Sequence, residues 1–523
     1  MIKVLVEKDS YYDSVFLMLI TSEVKKVPGV GEAVVSMGTE VNTELLREIG
    51  FGCPEIEEAT PNDLIIAVEA EDDQTLEQAF EKARELFSRK KIQRESAEAY
   101  RPVNLDAALK MMPEANLVIV SVPGRYAFRE ARRALEGGLH VMLFSDNVSL
   151  KEEIELKRLA VEKGLLMMGP DCGTAIINGK PLCFANAVRR GGIGLVAASG
   201  TGLQELTCCI DELEQGISQA IGTGGRDLRP EVGGTMMLMG IEALKRDRQT
   251  EVIVVISKPP AEAVARKVIN RLEKTGKPCV VHFIGLEGEG PSSRPAGRVL
   301  YAGNLEEAAG MAVAQLQGRS YQPRTFTLPA GEVNRLVEQE VTGMSRNQRY
   351  LRGLFTGGTL ADEALILLEG EIGGIYSNNQ TNPELLLPDP QRSKEHTIVD
   401  LGDDLFTQGR PHPMIDPTIR VDRLRGEMED SEVAVILLDC VLGYGSHPDP
   451  AGAMRESIVR AKRAAEKHNG HLAVIASVTG TEGDFQNLKD QKSKLQEVGC
   501  IVMPSNYQAA LLALEILKEA GAR

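Results

Sequence analysis

The chain has 523 residues, with 43% hydrophobic and 26% charged residues and a net charge of −16, which is typical of a soluble α/β protein of several domains. No cluster of lysine and arginine interrupts this acidic background, so neither nucleic acid nor an anionic membrane surface is an expected partner. The apolar run near the start is short and broken by charge, which predicts a cytoplasmic protein without a signal peptide or membrane span.

The first part of the chain, residues 1–100, alternates short apolar runs with helical patterns. The runs are IKVLV, GEAVVSM and LIIAVEA, and the longest helical pattern is DQTLEQAFEKARELF. This alternation predicts a small α+β domain, for which a ferredoxin-like fold is one candidate. The polar stretch at residues 88–104 predicts a linker.

Residues 101–190 show a second pattern, in which helical segments separate the apolar runs LVIVSV, VMLFS and LLMMG. Ser149 and Glu152 form a capping-box pattern at the start of one of these helices. Connections of this length between strands imply a parallel sheet, so we expect a Rossmann-like domain.

Two longer stretches repeat the strand and helix alternation of a doubly wound fold. In residues 191–320 the strands are IGLVAAS, QAIGTGG, EVIVVIS and CVVHFIG, and in residues 350–523 they include YLRGLFTGG, HTIVDLG and VAVILLDCVLGYG. We expect two flavodoxin-like domains, joined by a connector at residues 321–349. Ligands of such domains lie at the carboxyl ends of the strands, where the glycine loops SGTG, GTGG, FTGGT and GYGS fall.

Two of these glycine loops are candidate anion sites. The first consists of Ser199, Gly200, Thr201 and Gly202. Free amides, hydroxyls and the positive end of the following helix can bind phosphate, but the same residues also suit a tight turn with an N-capping hydroxyl. The second contains Gly224 and Gly225, with Arg226 as a potential anion partner, and it leaves the same choice open.

The order of these segments is more specific than any one of them. Residues 116–285 resemble the α subunit of succinyl-CoA synthetase through LLMMGPDCGTAI, IGLVAASGTGLQEL, AIGTGGRDL, TEVIVVISKPPAEAV and GKPCVVHFIG. Residues 350–523 resemble the carboxyl-terminal ligase domain of its β subunit through VILLDCVLGYGS. With SDNVSL, LGDD and GRPHPMIDP, the whole chain resembles the FdrA family of acyl-CoA-synthetase-like proteins, in which residues 101–190 correspond to the CoA-binding-type Rossmann domain.

The synthetase resemblance implies a phosphate site between two helix N-termini, one from each doubly wound domain. The first helix begins after Ser199, and the second follows Gly443, Gly445 and Ser446. Two such N-termini compensate the charge of one anion without a basic side chain. Glu205 matches the glutamate that holds the phosphorylated histidine of synthetases, although a helical glutamate is more often a solvated residue.

The chain also departs from a complete synthetase. The loop LEGEGPSSRPAGR stands where synthetases carry their phosphorylated histidine, and it contains no histidine. His282 precedes this loop within an apolar run, which indicates a core residue. No ATP-grasp domain is recognisable, so ATP is not expected to bind to this chain alone. CoA binding stays open, because the loop GxTGxxG is missing before residue 116.

Two clusters in residues 350–523 contain candidate catalytic groups. The first lies in LGDDLFTQGRPHPMIDP and consists of Asp403, Asp404, Arg410, His412 and Asp416. These side chains suit a divalent metal or acid–base catalysis, whereas the alternative is a proline-stiffened loop with a helix cap. His447, beside GYGS, suits a phosphoryl carrier or an acid–base group, and the alternative is a surface loop residue. The metal requirement stays open, and the eight cysteines show neither a CxxC pair nor a zinc-type spacing.

Three functions are compatible with these patterns. The FdrA resemblance implies acyl or carbamoyl transfer to phosphate in ureide catabolism, as in an oxamate carbamoyltransferase that converts oxalurate and phosphate to oxamate and carbamoyl phosphate. The second is an ADP-forming acyl-CoA ligase of the succinate–CoA type, whose ATP-grasp component is a separate polypeptide. The third is a non-catalytic scaffold or ligand sensor. The expected ligands are phosphate or an acyl phosphate with a small-molecule substrate, and the expected partners are other subunits or further copies of the chain.

Overall fold

A computed structural model describes residues 1–10, 12, 14–95, 102, 104–285, 299–408 and 410–522. The chain divides into two compact units, one built from residues 1–113 and the other from residues 114–408 and 412–522. No helix within these described stretches is both long and apolar enough to cross a membrane.

The first unit is a small α+β domain, as predicted. Its elements are β1 (Ile2–Glu7), α1 (Ser14–Lys25), β2 (Val30–Met37), α2 (Glu40–Glu48), α3 (Pro54–Glu57), β3 (Leu64–Ala70), α4 (Asp73–Glu95) and α5 (Leu105–Met111). The strands form an antiparallel sheet in the order β1-β3-β2. Apart from the short helices α2 and α3, the order β-α-β-β-α follows the start of a ferredoxin-like fold.

The second unit begins with a small parallel sheet in the order β4-β5-β6. Its elements are β4 (Leu117–Val120), α6 (Gly124–Glu136), β5 (His140–Leu143), α7 (Leu150–Lys163) and β6 (Met167–Met168). The predicted capping box is confirmed, because Ser149 accepts a hydrogen bond from the Glu152 amide while the Glu152 carboxylate accepts one from the Ser149 amide.

A seven-stranded sheet follows, in the order β13-β12-β11-β9-β10-β7-β8. The strands β9 to β13 are parallel, whereas β7 and β8 form an antiparallel hairpin at one edge. The hairpin starts at Thr174, within the range predicted for the Rossmann-like domain. The elements are β7 (Thr174–Ile177), β8 (Lys180–Cys183), β9 (Arg190–Ala198), α8 (Gly200–Glu212), β10 (Ile217–Gly222), α9 (Thr235–Arg246), β11 (Val252–Ser257), α10 (Glu262–Glu273), β12 (Cys279–Phe283), β13 (Val299–Tyr301) and α11 (Leu305–Leu316).

After α12 (Ala330–Thr342), a parallel six-stranded sheet has the order β15-β16-β14-β17-β18-β19. Its central strand β17 is buried along its whole length, as its continuous apolar sequence predicts for a sheet covered on both faces. The elements are β14 (Tyr350–Phe355), α13 (Gly358–Ile372), β15 (Tyr376–Ser377), β16 (Thr397–Asp400), α14 (Asp404–Thr407), α15 (Thr418–Glu427), β17 (Val433–Val441), α16 (Pro450–Lys467), β18 (Ala473–Thr479), α17 (Leu488–Glu497), β19 (Ile501–Met503) and α18 (Asn506–Gly521).

The two large sheets share one hydrophobic core, and the chain is therefore a multidomain α/β protein, as predicted. Leu206 of α8, Leu360 of α13 and Leu512 of α18 all belong to this core. Polar contacts also join the two halves, because the carboxylate of Asp484 accepts hydrogen bonds from the side chain of Asn186 at 2.8 Å and the amide of Ala187 at 2.8 Å.

His282 lies in β12, as predicted, and its imidazole is buried. Nδ1 of the ring lies 2.9 Å from the carbonyl oxygen of Ala302, and burial lowers the pKa of the imidazole. His282 is therefore a neutral sheet residue, because the cost of desolvation opposes its charged form. The loop LEGEGPSSRPAGR that follows β12, residues 286–298, lies outside the described residues.

Candidate functional site

The first turns of α8 and α13 are in direct contact. Ser199 caps α8, and its hydroxyl accepts a hydrogen bond from the Gly202 amide at 3.1 Å. The same hydroxyl lies 2.7 Å from the hydroxyl of Thr359, in the first turn of α13. A Cβ atom on Gly357 would lie only 2.9 Å from the side chain of Thr201, so the two helix starts pack without space for larger residues.

The first residue of each helix is a glycine that remains partly accessible. Gly200 begins α8 and Gly358 begins α13, whereas Ser199, Thr201 and Thr359 around them are buried. The first amides of a helix have no partner within the helix, and they carry the positive end of its dipole. Two such ends with accessible glycine backbones form an arrangement that can bind an anion.

The structure corrects the predicted partner of α8. The prediction placed the second helix start after Gly443, Gly445 and Ser446, but the helix start that contacts α8 belongs to α13. The helix that follows Ser446 is α16, and Asp449 caps it by accepting a hydrogen bond from the Gly452 amide at 3.1 Å. The positive end of α16 is therefore already paired with the carboxylate of its own cap.

The contacts of Gly443 and Gly445 give these residues a packing function. A Cβ atom at Gly443 would lie 2.6 Å from the carbonyl oxygen of Ala185, and one at Gly445 would lie 3.0 Å from the ring of Phe184. Both glycines also have positive φ angles, of 102° and 80°. Because side chains do not fit at these two positions, the loop can approach the segment that follows β8.

The loop of Gly224 and Gly225 contacts the segment GPDCG. Gly224 has a φ angle of 83° and packs against the carbonyl oxygen of Pro170, whereas Gly225 is exposed and has open space around it. Asp171, the residue after Pro170, adopts a φ angle of 52°, and its side chain is exposed. The two loops therefore pack against each other at the carboxyl end of β10.

A carboxylate cluster, of which the sequence singled out only Asp404, lies beside the two helix starts. We define it as Asp171, Asp362, Asp400 and Asp404. Lys258, the residue after β11, lies among these carboxylates with its Nζ atom 2.7 Å from the carboxylate of Asp362. The amide of Asn379 bonds to both Asp362 at 3.1 Å and Asp400 at 3.3 Å. The carboxylate of Asp400 in turn packs against Gly358, so the cluster reaches the start of α13.

Two members of the carboxylate cluster have strongly raised pKa values. Although Asp171 keeps exposed surface, crowding by the surrounding protein desolvates its carboxylate and raises its pKa to about 7, and the charges of Asp404 and Asp146 add to the shift. Burial also raises the pKa of Asp400 to about 7, although Lys258 opposes this shift. Both carboxyls are therefore partly protonated near neutral pH, and they can exchange protons with a ligand there.

His412 lies next to the loop that begins α13. A Cβ atom on Gly402 would lie 2.7 Å from both Nε2 of His412 and the carbonyl oxygen of Thr356. Nδ1 of the ring accepts a hydrogen bond from the Met414 amide at 3.2 Å, and the ring packs on Phe184. Burial lowers the pKa of His412 to about 4, so the imidazole is neutral at pH 7 with its proton on Nε2.

The neighbours of His412 in the predicted cluster have mostly local contacts. Asp403 caps α14 by accepting a hydrogen bond from the Leu405 amide at 2.9 Å. Asp416 accepts one from the Thr418 amide at 3.0 Å at the start of α15, as the alternative interpretation expected. Asp404 keeps exposed surface, and partial desolvation by the surrounding protein, together with the charge of Asp146, raises its pKa. Within the described part of the chain, no group of three or more His, Cys, Asp and Glu side chains can hold a metal ion.

His447 lies at the start of α16 and is partly accessible. Its Nδ1 atom accepts a hydrogen bond from the Asp449 amide at 3.0 Å, and its own amide donates to the Met414 carbonyl at 2.7 Å. These contacts connect the GYGS loop to the His412 loop. A role of His447 as a phosphoryl carrier stays a prediction.

Glu205 and Glu363 occupy equivalent positions in the two halves, each five residues after the glycine that begins its helix. Both carboxylates contact Asn506, Glu205 through the backbone amide at 3.0 Å and Glu363 through the side-chain amide at 2.8 Å. Glu205 also accepts a hydrogen bond from Thr479. Burial raises the pKa of Glu205, and it raises that of Glu363 to about 7. Glu205 thus connects α8 to the last domain, and its predicted role beside a histidine stays a prediction.

A buried ion pair supports the loop that begins α13. Asp439 at the end of β17 accepts hydrogen bonds from the amides of Thr356 at 2.9 Å and Gly357 at 2.8 Å. Arg420 of α15 lies 2.7 Å from the same carboxylate, and both side chains are almost completely buried. This pair therefore fixes the backbone from which the first free amides of α13 extend.

Comparisons with known proteins agree with this architecture. A relative described as "Uncharacterized protein YahF", from Escherichia coli (strain K12), is 47% identical over 518 residues, which cover 99% of this chain and 98% of the relative. The chain belongs to the family of this YahF protein. Succinate–CoA ligase [ADP-forming] subunit alpha 2 of Archaeoglobus fulgidus is 24% identical over 200 residues, which cover 37% of this chain and 66% of the relative.

Three family models match separate parts of this chain. They are described as "AllF, heavy metal-associated domain" for residues 1–102, "CoA binding domain" for residues 189–285 and "CoA-ligase" for residues 354–516. The CoA binding domain model thus falls on the seven-stranded sheet. The first 102 residues contain Cys53 as their only cysteine and no histidine, so they lack the thiol pair that would bind a heavy metal.

Among solved structures, the apo form of the dinucleotide-forming acetyl-coenzyme A synthetase 1 of Ca. Korarchaeum cryptofilum covers 78% of this chain and 84% of its own. The sequence identity is 16% and the TM-score is 0.32. A TM-score of this size carries no argument about the site. The matched models and the sheet topology together make the chain CoA-ligase-like in its architecture.

Proposed function

We propose that the chain is an acyl-CoA-ligase-like enzyme that transfers an acyl or carbamoyl group to inorganic phosphate bound at the starts of α8 and α13. The observation that supports this proposal is the contact between Ser199 and Thr359 at 2.7 Å, with Gly200 and Gly358 accessible beside it. Two positive helix ends compensate the charge of phosphate and of the oxyanion that forms on the attacked carbonyl group.

Direct attack by phosphate suits this site better than transfer through a phosphohistidine. The loop LEGEGPSSRPAGR contains no histidine, and His282 is buried within its sheet. In carbamoyl transfer from oxalurate, a phosphate oxygen attacks the ureido carbonyl carbon, and the bond from this carbon to nitrogen breaks. The nitrogen leaves as the amide of oxamate and takes up a proton, which Asp171 or Asp400 can supply near neutral pH.

The assignment to ureide catabolism rests on the resemblance to the FdrA family. The alternative is an ADP-forming acyl-CoA ligase, which the succinate–CoA ligase relative and the CoA binding domain model favour. In that case CoA binds to this chain, and a separate polypeptide supplies the ATP site. In both cases we expect the chain to act with other subunits or with further copies of itself.

Calorimetric titration of the purified chain with phosphate, CoA and ATP tests the proposal. We expect phosphate to bind, and we expect Gly200→Asp to abolish binding because a carboxylate would then lie at the start of α8, where a Cβ atom meets no neighbour closer than 3.8 Å. Gly370→Asp is the control, since Gly370 is exposed on α13 with open space around it. Failure of the wild-type chain to bind phosphate would refute the anion site. Tight ATP binding by the chain alone would refute direct transfer to phosphate.

A further inference from the structure

Lys258 connects the two halves of the second unit at the carboxyl ends of their sheets. It follows β11 of the seven-stranded sheet, and its Nζ atom lies 2.7 Å from Asp362 on α13. The side chain of Lys258 keeps 40% of its surface exposed, whereas that of Asp362 keeps 13%. The Lys258 side chain is thus partly accessible to a ligand, and its carboxylate partner is largely covered.

The partner of Lys258 does not depend on it alone. Asp362 also accepts a hydrogen bond from Asn379 at 3.1 Å, and Asn379 extends to Asp400 at 3.3 Å. When Lys258 turns toward a ligand, Asp362 therefore keeps a partner. The cost of separating the ion pair is reduced accordingly, because the carboxylate is not left buried and unsatisfied.

The other cation near the carboxylate cluster is already committed. Arg226 lies 2.9 Å from the carboxylate of Glu153 and donates to the carbonyl oxygen of Val148 at 2.7 Å. Lys258, by contrast, interacts with Asp171 from one half of the unit and with Asp362 and Asp400 from the other. Among the described residues of this region, Lys258 is therefore the cation best placed to meet an incoming organic anion.

The helix geometry sets the distance between Lys258 and the proposed phosphate site. Gly358 and Asp362 are four residues apart on α13, so they lie on one face and are separated by about one turn, roughly 5–6 Å. An anion that Lys258 binds in place of Asp362 would therefore lie roughly 5–6 Å from an anion bound at Gly358. That spacing suits a short carboxylic acid whose reactive carbonyl group is two or three bonds away from its carboxylate.

We propose that Lys258 exchanges Asp362 for the carboxylate of the organic substrate and so directs the substrate carbonyl toward the phosphate at the start of α13. This inference rests on the proposed function for the identity of the second anion. It identifies the substrate as a short-chain carboxylate with a neighbouring carbonyl or amide group. Lys258 thereby selects acids over neutral amides.

The test is calorimetric titration of the whole chain with oxamate, with and without inorganic phosphate. We expect Lys258→Met to weaken oxamate binding at least tenfold and to leave phosphate binding unchanged. Lys267→Met is the matched control, because Lys267 is exposed on α10. Thermal unfolding of each variant shows whether it is folded. Asp362→Asn is the second variant, and we expect it to strengthen oxamate binding, because it removes the anion that competes for Lys258.

The outcomes separate this inference from the proposed function. If the wild-type chain binds oxamate through Lys258 but does not bind phosphate, the role of Lys258 stands and the phosphate site fails. If folded Lys258→Met binds oxamate as tightly as the wild type, or if Asp362→Asn weakens the binding, the inference is overturned. It is also overturned if the wild-type chain does not bind oxamate.

Discussion

The hydroxyl groups of Ser199 and Thr359 lie 2.7 Å apart, although the residues are 160 positions apart in the sequence. Ser199 ends the central strand of one sheet, and Thr359 follows the first strand of the other. Their hydrogen bond joins the two helix starts at the point where we propose that phosphate binds. Each half of the unit therefore fixes the geometry of the other half's anion-binding backbone.

Ser199→Ala and Thr359→Val each remove this hydrogen bond. A hydrogen bond of this type contributes about 1 kcal/mol, so we expect each variant to bind phosphate about fivefold more weakly. Because the two hydroxyls share one interaction, the double variant should lose less affinity than the sum of the two single losses. A double-mutant cycle by calorimetry measures this coupling, and strictly additive losses would contradict it.

Asp439→Asn leaves Arg420 buried without its counter-charge and weakens the support of the Thr356 and Gly357 amides. Loss of one partner of a buried ion pair costs about 3–5 kcal/mol, and we expect a loss of this size in the free energy of unfolding. Denaturant unfolding measures it. The matched control is Asp422→Asn, whose partner Arg425 is exposed, and we expect a change of at most about 1 kcal/mol there. Equal effects of the two substitutions would show that Asp439 has no special role.

Anion binding should weaken as the pH rises from 6 to 8. Asp171 and Asp400 have pKa values of about 7, so both carboxyls lose their protons over this range and then repel an anion. The charged groups that act on them are Asp146, Asp362, Asp404, Lys258 and Arg226. Sulfate is the suitable probe, because its own charge does not change over this range. We expect Asp400→Asn to flatten the pH profile of sulfate affinity, and an unchanged profile would exclude Asp400 as its source.

The carboxyl groups of Asp171 and Asp400 also affect the stability of the fold. Their pKa values are higher in the folded chain than in the unfolded chain, where an aspartate titrates near 4. Between pH 4 and pH 7 the folded state therefore binds more protons, and the free energy of unfolding falls as the pH rises through this range. Denaturant unfolding of Asp400→Asn should show a smaller fall than that of the wild type.

Asn506→Ala removes the amide that donates hydrogen bonds to Glu363 and to the Leu360 carbonyl. Glu363 is buried, and the loss of a partner at a buried polar group costs about 1–3 kcal/mol. We expect the free energy of unfolding to fall by this amount, while the backbone bond from Asn506 to Glu205 persists. Glu515→Ala on the exposed face of the same helix is the control, with an expected change within about 0.5 kcal/mol. Equal stability of the two variants would refute a supporting role for Asn506.

The sequence predicted those parts of the site that depend on local pattern. An apolar strand followed by a serine and glycines indicated the start of α8, and Ser199 is its cap. The apolar residues on either side of His282 in the sequence indicated that His282 is buried, and it is. Both predictions use only residues that are adjacent along the chain, and such residues determine caps and burial directly.

The remaining parts depend on which strands the fold places side by side. The loop FTGGT was recognised as a glycine loop, but its contact with α8 spans the two large sheets, and no local pattern encodes that contact. Lys258 and Asp400 each stand at the end of an apolar strand, and neither has a charged partner close in the sequence. The signal that could have identified Lys258 and Asp400 is a charged residue at the carboxyl end of a parallel strand, because ligand sites lie at that edge of the sheet.

The contacts between the two large sheets have a consequence for how the enzyme can be assembled. Ser199, Asn186 and Glu205 bind the last domain without a covalent bond, and a continuous hydrophobic core runs beside them. The connection between the halves passes through exposed residues at Arg319 and Ser320. A polypeptide cut there should yield two fragments that copurify as a heterodimer. The single chain is then equivalent to two subunits joined end to end.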